Sequence, residues 1–412
     1  MDFSLGEELE AVRDLAREIF TDRASSDRLR AVETSATRVD DRLWGDLAGA
    51  GLLGAALPDD VGGAGLGAAG LCVLLEEQGR RVAPVPLWPA LVGALAVAAH
   101  GDPGIRTRLL PSVVAGTARL TVALEEFGPA DPVAPEATAT PTSAAGKGVH
   151  SAEGTPGWRL TGTKAVVPAA SGAGHVLVSA RTTGGDTGLF LVASDAAGVT
   201  WEYAETTSHD LSGHLTLHGA PAEAVGAPGT GVVEWTVRHA GAALAALQLG
   251  VAEGALGHAA DHLRERQQFG RPLATFQAVQ HQLADCFIDV EAMRVTLWHA
   301  ADALGAVDAL GAAGALGAAG ALAATGSQGG GTSEAECESA VLVAKWWAAE
   351  AGLNTVHRIQ HLHGGIGVDT DYPVHRHFLW GKQLSSTLGG ARADLARLGD
   401  VLADSAGGAA AS

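Results

Sequence analysis

The sequence predicts a mainly α-helical protein with a central β domain, in the order N-terminal helical domain, middle β domain, C-terminal four-helix bundle. Three observations predict it. Apolar residues recur at helical spacing up to about residue 118, strand-like runs fill about 119–225, and a strong helical period returns over about 226–404. A chain of 412 residues also exceeds what one hydrophobic core usually organises.

In the first zone Leu9, Val12, Leu15 and Ile19 mark one helix, Leu43 and Leu47 a second, and Leu71, Val73, Leu74 and Leu75 another. The stretch LPDDVGGAGLG (57–67) interrupts them with Pro58 and four glycines, which form a turn. In the middle zone RLTVAL, WRLTGTKAVV, HVLVSA, GLFLVA and VTWEY are short β-branched runs separated by turn residues. Within it, residues 134–157 follow neither period and are expected to form a long flexible loop.

The last zone predicts two long helices joined at the FGRP turn, a third at about 334–362 ending near HGGIG, and a fourth at about 374–404. Between the second and third, about 303–332 is a Gly/Ala-rich insertion. Each helical glycine costs about 1 kcal/mol relative to alanine, so fraying is expected there. Residues 405–412 are expected to form a disordered tail.

Composition narrows the function classes. A formal charge of −19 disfavours a nucleic-acid partner, although Arg264, Arg266 and Arg271 can reverse the field locally for a phosphate-bearing small molecule. No uninterrupted apolar run reaches the roughly 18–20 residues of a membrane span, and the acidic first 20 residues are unlike a signal peptide. Cys72, Cys286 and Cys337 are scattered, which fits a cytoplasmic location better than a disulfide framework.

The stretch RERQQFGRPLATFQAVQHQLAD (264–285) carries more chemistry than a helix connection needs. Together with LPDDVGGAGLG, LLEEQGRRVAPVP (74–86) and HLHGGIGVDTDYPVHRHFLWGKQ (361–383), it resembles the acyl-CoA dehydrogenase family, over about residues 3–400. The resemblance implies a β-barrel as the middle domain and FAD as cofactor. It gives Arg266, Gln268, Phe269 and Gln277 to the adenine and pyrophosphate end. Arg266 suits charge-assisted bonds to pyrophosphate, Gln268 is a neutral donor and acceptor, and Phe269 is an apolar face. Gly270 permits the turn, and Gln277, one to two turns into the next helix, points back to the same pocket. From the partner subunit, the backbone from His361 through Gly364 and Gly365 would close around the pyrophosphate.

The implied reaction is α,β-desaturation of an acyl-CoA thioester, with a Glu removing the proton next to the carbonyl. That Glu is absent. The family segment ending in Glu-Gly reads KQLSSTLGG here, so Leu388 stands at the base position, and the alternative position falls on Ala240. Glu234, six residues earlier, faces about 240° away around a helix and does not take the role. The strand-loop EEFGPADPV (125–133) and VVP (166–168) also depart from the segments that clasp the flavin ring, and His361 replaces a Gln.

The chain therefore resembles the Glu-lacking subunit of bacterial heteromeric acyl-CoA dehydrogenases associated with steroid and other bulky substrates. A paralogous subunit in a heterotetramer and an electron-transfer flavoprotein or similar acceptor are the implied partners. Alternatives are a flavin-free structural or regulatory subunit and an active homo-oligomer with an unrecognised base. The histidine pairs 258/262 and 357/361, with His363, His375 and His377 nearby, raise a metal site, but no H-E-x-x-H accompanies them and none is assigned. No G-x-S-x-G elbow supports a hydrolase. Asp369 and Asp371 fit a turn before Pro373.

Overall fold

The computed structural model describes residues 5–128, 131–142, 157–315 and 332–410. Six helices come first: α1 Glu7–Arg23, α2 Ser26–Glu33, α3 Asp41–Gly49, α4 Gly67–Arg81, α5 Leu87–His100 and α6 Pro103–Val114. Three of these helices are capped by a side chain, with Ser25, Asp40 and Asp102 each accepting a backbone N–H at the first turn.

Seven strands follow: β1 Leu120–Ala123, β2 Thr138–Pro141, β3 Trp158–Val167, β4 His175–Thr182, β5 Thr187–Ala193, β6 Val199–Glu205 and β7 Leu211–Val225. Pairing runs from β2 to β3, β3 to β7, β7 to β5, β5 to β4 and β4 back to β2, so the sheet closes on itself as a barrel. Small side chains such as Ala139, Ala180, Ala220 and Ala222 surround Phe190 inside it. Lys164 is fully buried in its wall, bonded to Glu126 at 2.6 Å and Ser179 at 2.9 Å. Burial pulls its pKa down to about 8 against the opposing effect of Glu126.

The last part is helical again: α7 Val232–Glu265, α8 Gln277–Ala315, α9 Glu334–His363, α10 Val374–Ser386 and α11 Gly390–Ala410. Between α7 and α8 a ribbon of β8 Gln267–Gln268 and β9 Arg271–Pro272 makes the FGRP turn. α7 is long and apolar enough to cross a bilayer, but 78% of its apolar window is buried within the fold, as befits a core helix. It packs on α4 backbone to backbone. A Cβ on Gly79 would lie 2.1 Å from the carbonyl oxygen of Leu247, and one on Gly250 1.9 Å from that of Glu76. The N-terminal helices and the bundle consequently share one apolar core.

Four expectations change. The fourth bundle helix is two, because the chain breaks at Leu388, which adopts φ 55° and ψ 44°. α8 continues through residues 303–315, where fraying is expected: Ala303 and Leu304 are buried, and Asp308 accepts bonds from Trp235 Nε1 (2.7 Å) and His239 Nε2 (3.0 Å). Tertiary bonds there outweigh the glycine penalty, while residues 316–331 lie outside the described residues. The loop at 134–157 contains β2, whose pairing to β3 and β4 supplies partners that its sequence does not advertise; residues 143–156 lie outside the description. Residues 405–410 continue α11 where a tail is expected, an Ala-rich extension of a helix already formed, and 411–412 are not described.

Candidate functional site

The bundle topology decides where the dinucleotide-binding candidates meet. α7 ends, α8 begins and α9 ends at the same end of the bundle, and the rings of His262 and His363 stack there with centroids 4.7 Å apart. Arg266 follows His262 by one turn, and Gly364 follows His363. A single chain thus brings Arg266, Gln268, Phe269 and Gln277 to the same end of the bundle as its own His361, Gly364 and Gly365. Gln277 is the first residue of α8 rather than one to two turns inside it.

The side chains of this corner are largely exposed. Phe269 and Gly270 both have positive φ, 53° and 78°, which the tight two-residue hairpin requires. For phenylalanine that conformation costs on the order of 1–2 kcal/mol. Its ring is nonetheless 91% exposed, meeting Phe276 edge-on at 6.1 Å. Arg264 pairs with Asp261 at 3.7 Å, and the Arg271 guanidinium lies over the Phe276 ring at 4.1 Å. Among the described residues Arg266 makes no ion pair and is exposed. A Cβ on Gly364 or Gly365 would meet no atom within 4 Å, so internal packing does not demand glycine at either place. An available guanidinium, an exposed ring and an open glycine backbone fit an anionic dinucleotide end.

A second feature is a cleft between the N-terminal helices, the barrel and α10, with a volume of about 240 Å³. Its lining combines apolar Val82, Pro84, Pro86, Trp88 and Trp380 with polar Glu125, Ser208, Asp210, Gln383 and Thr387. Arg38, which pairs with Glu205 at 2.9 Å, and Thr207, whose hydroxyl donates to Leu379 O at 3.2 Å, tie barrel strands to both helical units around it.

The residues at the two positions where the resemblance would place a base are both buried, Ala240 at 0% and Leu388 at 6% exposure. The Leu388 backbone is gripped from both sides. Its N–H donates to Glu125 Oε1 at 2.9 Å, and its carbonyl accepts from Lys345 Nζ at 3.4 Å, with Lys345 also bonded to Asp394 at 3.0 Å. Glu125 is the carboxylate that sequence reading missed. It closes β1 beside Glu126, and the doublet registers in the sequence only as a departure from a family pattern; no spacing rule ties residue 125 to residue 388. Burial raises its pKa, opposed by the Leu388 N–H and by Lys345.

The candidate metal histidines meet as ring pairs, His258 with His377 at 5.1 Å and His262 with His363. Burial pulls His377 down to about 3, which keeps it neutral. Among the described residues no three of His, Cys, Asp or Glu form a set able to hold a metal ion. Asp369 does serve a turn, accepting the N–H of Asp371 at 2.9 Å.

Comparison with known proteins agrees with this architecture. The N-terminal domain of acyl-CoA dehydrogenases matches residues 6–117 and the C-terminal domain matches residues 227–393. The acyl-CoA dehydrogenase FadE27 of Mycobacterium tuberculosis is 36% identical, with 98% of this chain and 99% of the relative covered. A solved variant of the Tcur3481-Tcur3483 steroid ACAD is 57% identical with a TM-score of 0.84, covering 98% of this chain and 100% of that one. The ChsE4-ChsE5 complex from Mycobacterium tuberculosis is 34% identical with a TM-score of 0.82, over 98% and 99%. With both terminal domains matched and a relative aligned along nearly its whole length, the chain belongs to the acyl-CoA dehydrogenase family.

Proposed function

We propose that this chain is an FAD-binding subunit of a heteromeric acyl-CoA dehydrogenase that desaturates an acyl-CoA thioester, and that a paralogous subunit supplies the Glu missing at position 388. The observation that carries the reading is the contrast between the two regions. The bundle end presents Arg266, Phe269 and the open glycines outward, whereas position 388 is a buried leucine.

In this reading Arg266 binds the pyrophosphate through charge-assisted bonds, Gln268 and Gln277 orient the nucleotide, and the exposed Phe269 ring covers its apolar face. The backbone at Gly364 and Gly365 lets the phosphates approach. When bound, FAD supplies the hydride acceptor that the protein itself lacks. The similar ChsE4-ChsE5 complex and the Tcur3481-Tcur3483 steroid ACAD support a heteromer, and the latter supports a bulky, steroid-bearing acyl group. Reoxidation by an electron-transfer flavoprotein or similar acceptor completes the cycle.

The test is flavin retention. Purified wild-type protein is expected to hold FAD through gel filtration, seen as visible absorbance. Arg266→Ala should weaken it by about 10–100-fold, since a hydrogen bond to a charged group contributes about 1.5–3 kcal/mol. Equal flavin affinity in both proteins contradicts the assignment of Arg266.

A further inference from the structure

We propose that Glu76 of α4 and Glu253 of α7 share one proton in the buried joint between the N-terminal helices and the bundle, and that release of this proton loosens the joint. The inference is independent of what the cleft or the dinucleotide corner binds.

The two carboxyls are bonded side chain to side chain. That arrangement needs a proton, because ionised carboxylates only accept. Both lie against one guanidinium: Arg80 Nη2 is 2.8 Å from Glu76 Oε1 and 2.5 Å from Glu253 Oε2. Arg294 of α8 reaches them as well, 3.3 Å from Glu76 Oε1 and in contact with Glu253 Oε1. Glu253 Oε2 is buried and, close as Arg80 lies, receives no hydrogen bond from any described residue, which leaves it for the proton. The two side chains are only 10% and 7% exposed, so water does little to spread a second negative charge. A polar cavity of about 430 Å³, bordered by α1, α4, α7 and α8, opens beside them and gives the proton a route to solvent.

Charge balance explains why one proton is held. The pair is faced by Arg17 from α1, Glu77 and Arg80 from α4, and Glu291 and Arg294 from α8. Glu10 and Arg13 of α1 border the same cavity and pair with each other at 3.8 Å. Cys72, one turn before Glu76, is buried, and its thiol is pushed up to about 12, so it adds no charge. Four carboxylates, Glu76, Glu77, Glu253 and Glu291, thus meet three guanidiniums, Arg17, Arg80 and Arg294, which leaves one negative charge over. Arg17 is committed to Glu77 through two bonds, at 2.7 and 3.1 Å. Glu291 is 44% exposed and solvated, so a proton is best placed on the buried pair. Burial first, and then the charge of Glu253, raise Glu76 to about 7 against the opposing pull of Arg80 and Arg294. The proton belongs to the pair rather than to either residue.

Because the folded value lies above the ordinary 4.5, the pair's contribution to docking is fully present below about pH 4.5 and is lost as pH rises through about 7. α4 runs directly into Val82, Pro84, Pro86 and Trp88 of the cleft lining, so the same pH rise frees that lining to move.

Hydrogen exchange of the α4 amides in the purified full chain tests this, corrected for the intrinsic effect of pH and compared between wild type and Glu76→Gln from about pH 5 to about pH 8.5. Gln offers Glu253 an amide donor in place of the shared proton. The ratio of the wild-type opening constant to the variant's is expected to rise by up to about tenfold per pH unit between about pH 5 and 7, and to level off above that. Glu253→Gln removes the same proton from the α7 side and should give the same profile, so either variant serves if the other does not fold. A merely structural role predicts an offset that does not change with pH. A pH-independent ratio overturns the proposal, as does a rise seen against one folded variant and not against the other.

Discussion

Leu388 and Phe269 are both non-glycine residues at left-handed backbone positions, at φ 55° and 53°, and they spend that strain in opposite ways. Leu388 turns its side chain into the core, while Phe269 turns its ring to solvent. Magnitudes decide what Leu388→Gly does. Relief of the backbone conformation contributes about 1–2 kcal/mol, but truncating a buried leucine costs about 2–5 kcal/mol. The variant should be less stable by about 1–3 kcal/mol in denaturant unfolding; a gain in stability would show that strain, not packing, dominates this site. The resemblance implies a base position at 388, and KQLSSTLGG puts a leucine there. The contact of Glu125 with Leu388 could not be read from the sequence, because it spans 263 residues and depends on barrel and bundle meeting.

At the scale of elements, periodicity found the long helices and most strands, and it failed where tertiary bonds override local preference. The end of α8 is the plainest case. Its sequence is rich in glycine, yet Trp235 and His239 of α7 reach across to Asp308. Burial acts to raise the Asp308 carboxyl, but the His239 and Trp235 bonds hold it below the usual range. Asp308→Ala should cost about 1–3 kcal/mol, because both donors are left buried without it. Hydrogen exchange should then lose protection selectively over residues 303–315. Unchanged protection there would mean that apolar packing of Leu304 alone holds this end. β2 and the break between α10 and α11 escaped sequence reading for a related reason. Four residues of TATP carry too little pattern, and a leucine gives no sign of a left-handed turn.

Across the whole molecule, the three units leave two regions with different characters. The bundle end is open and carries Arg266, which makes no ion pair among the described residues, while the cleft between the units is lined by Glu125 and Asp210 among apolar residues. The N-terminal helices are joined to the bundle by buried ionic bonds as well as by glycine contacts. Burial, with the charge of Glu253, pushes Glu76 up to about 7, while Arg80 and Arg294 bind the pair. These joints hold the N-terminal helices against the bundle.

The most direct measurement is thioester desaturation by the chain purified alone and by the chain co-expressed with a dehydrogenase-like second subunit, each loaded with FAD. The account predicts no appreciable turnover by the isolated wild-type chain or by its Leu388→Glu variant, and turnover by the complex. Robust desaturation by the isolated wild-type chain would contradict it.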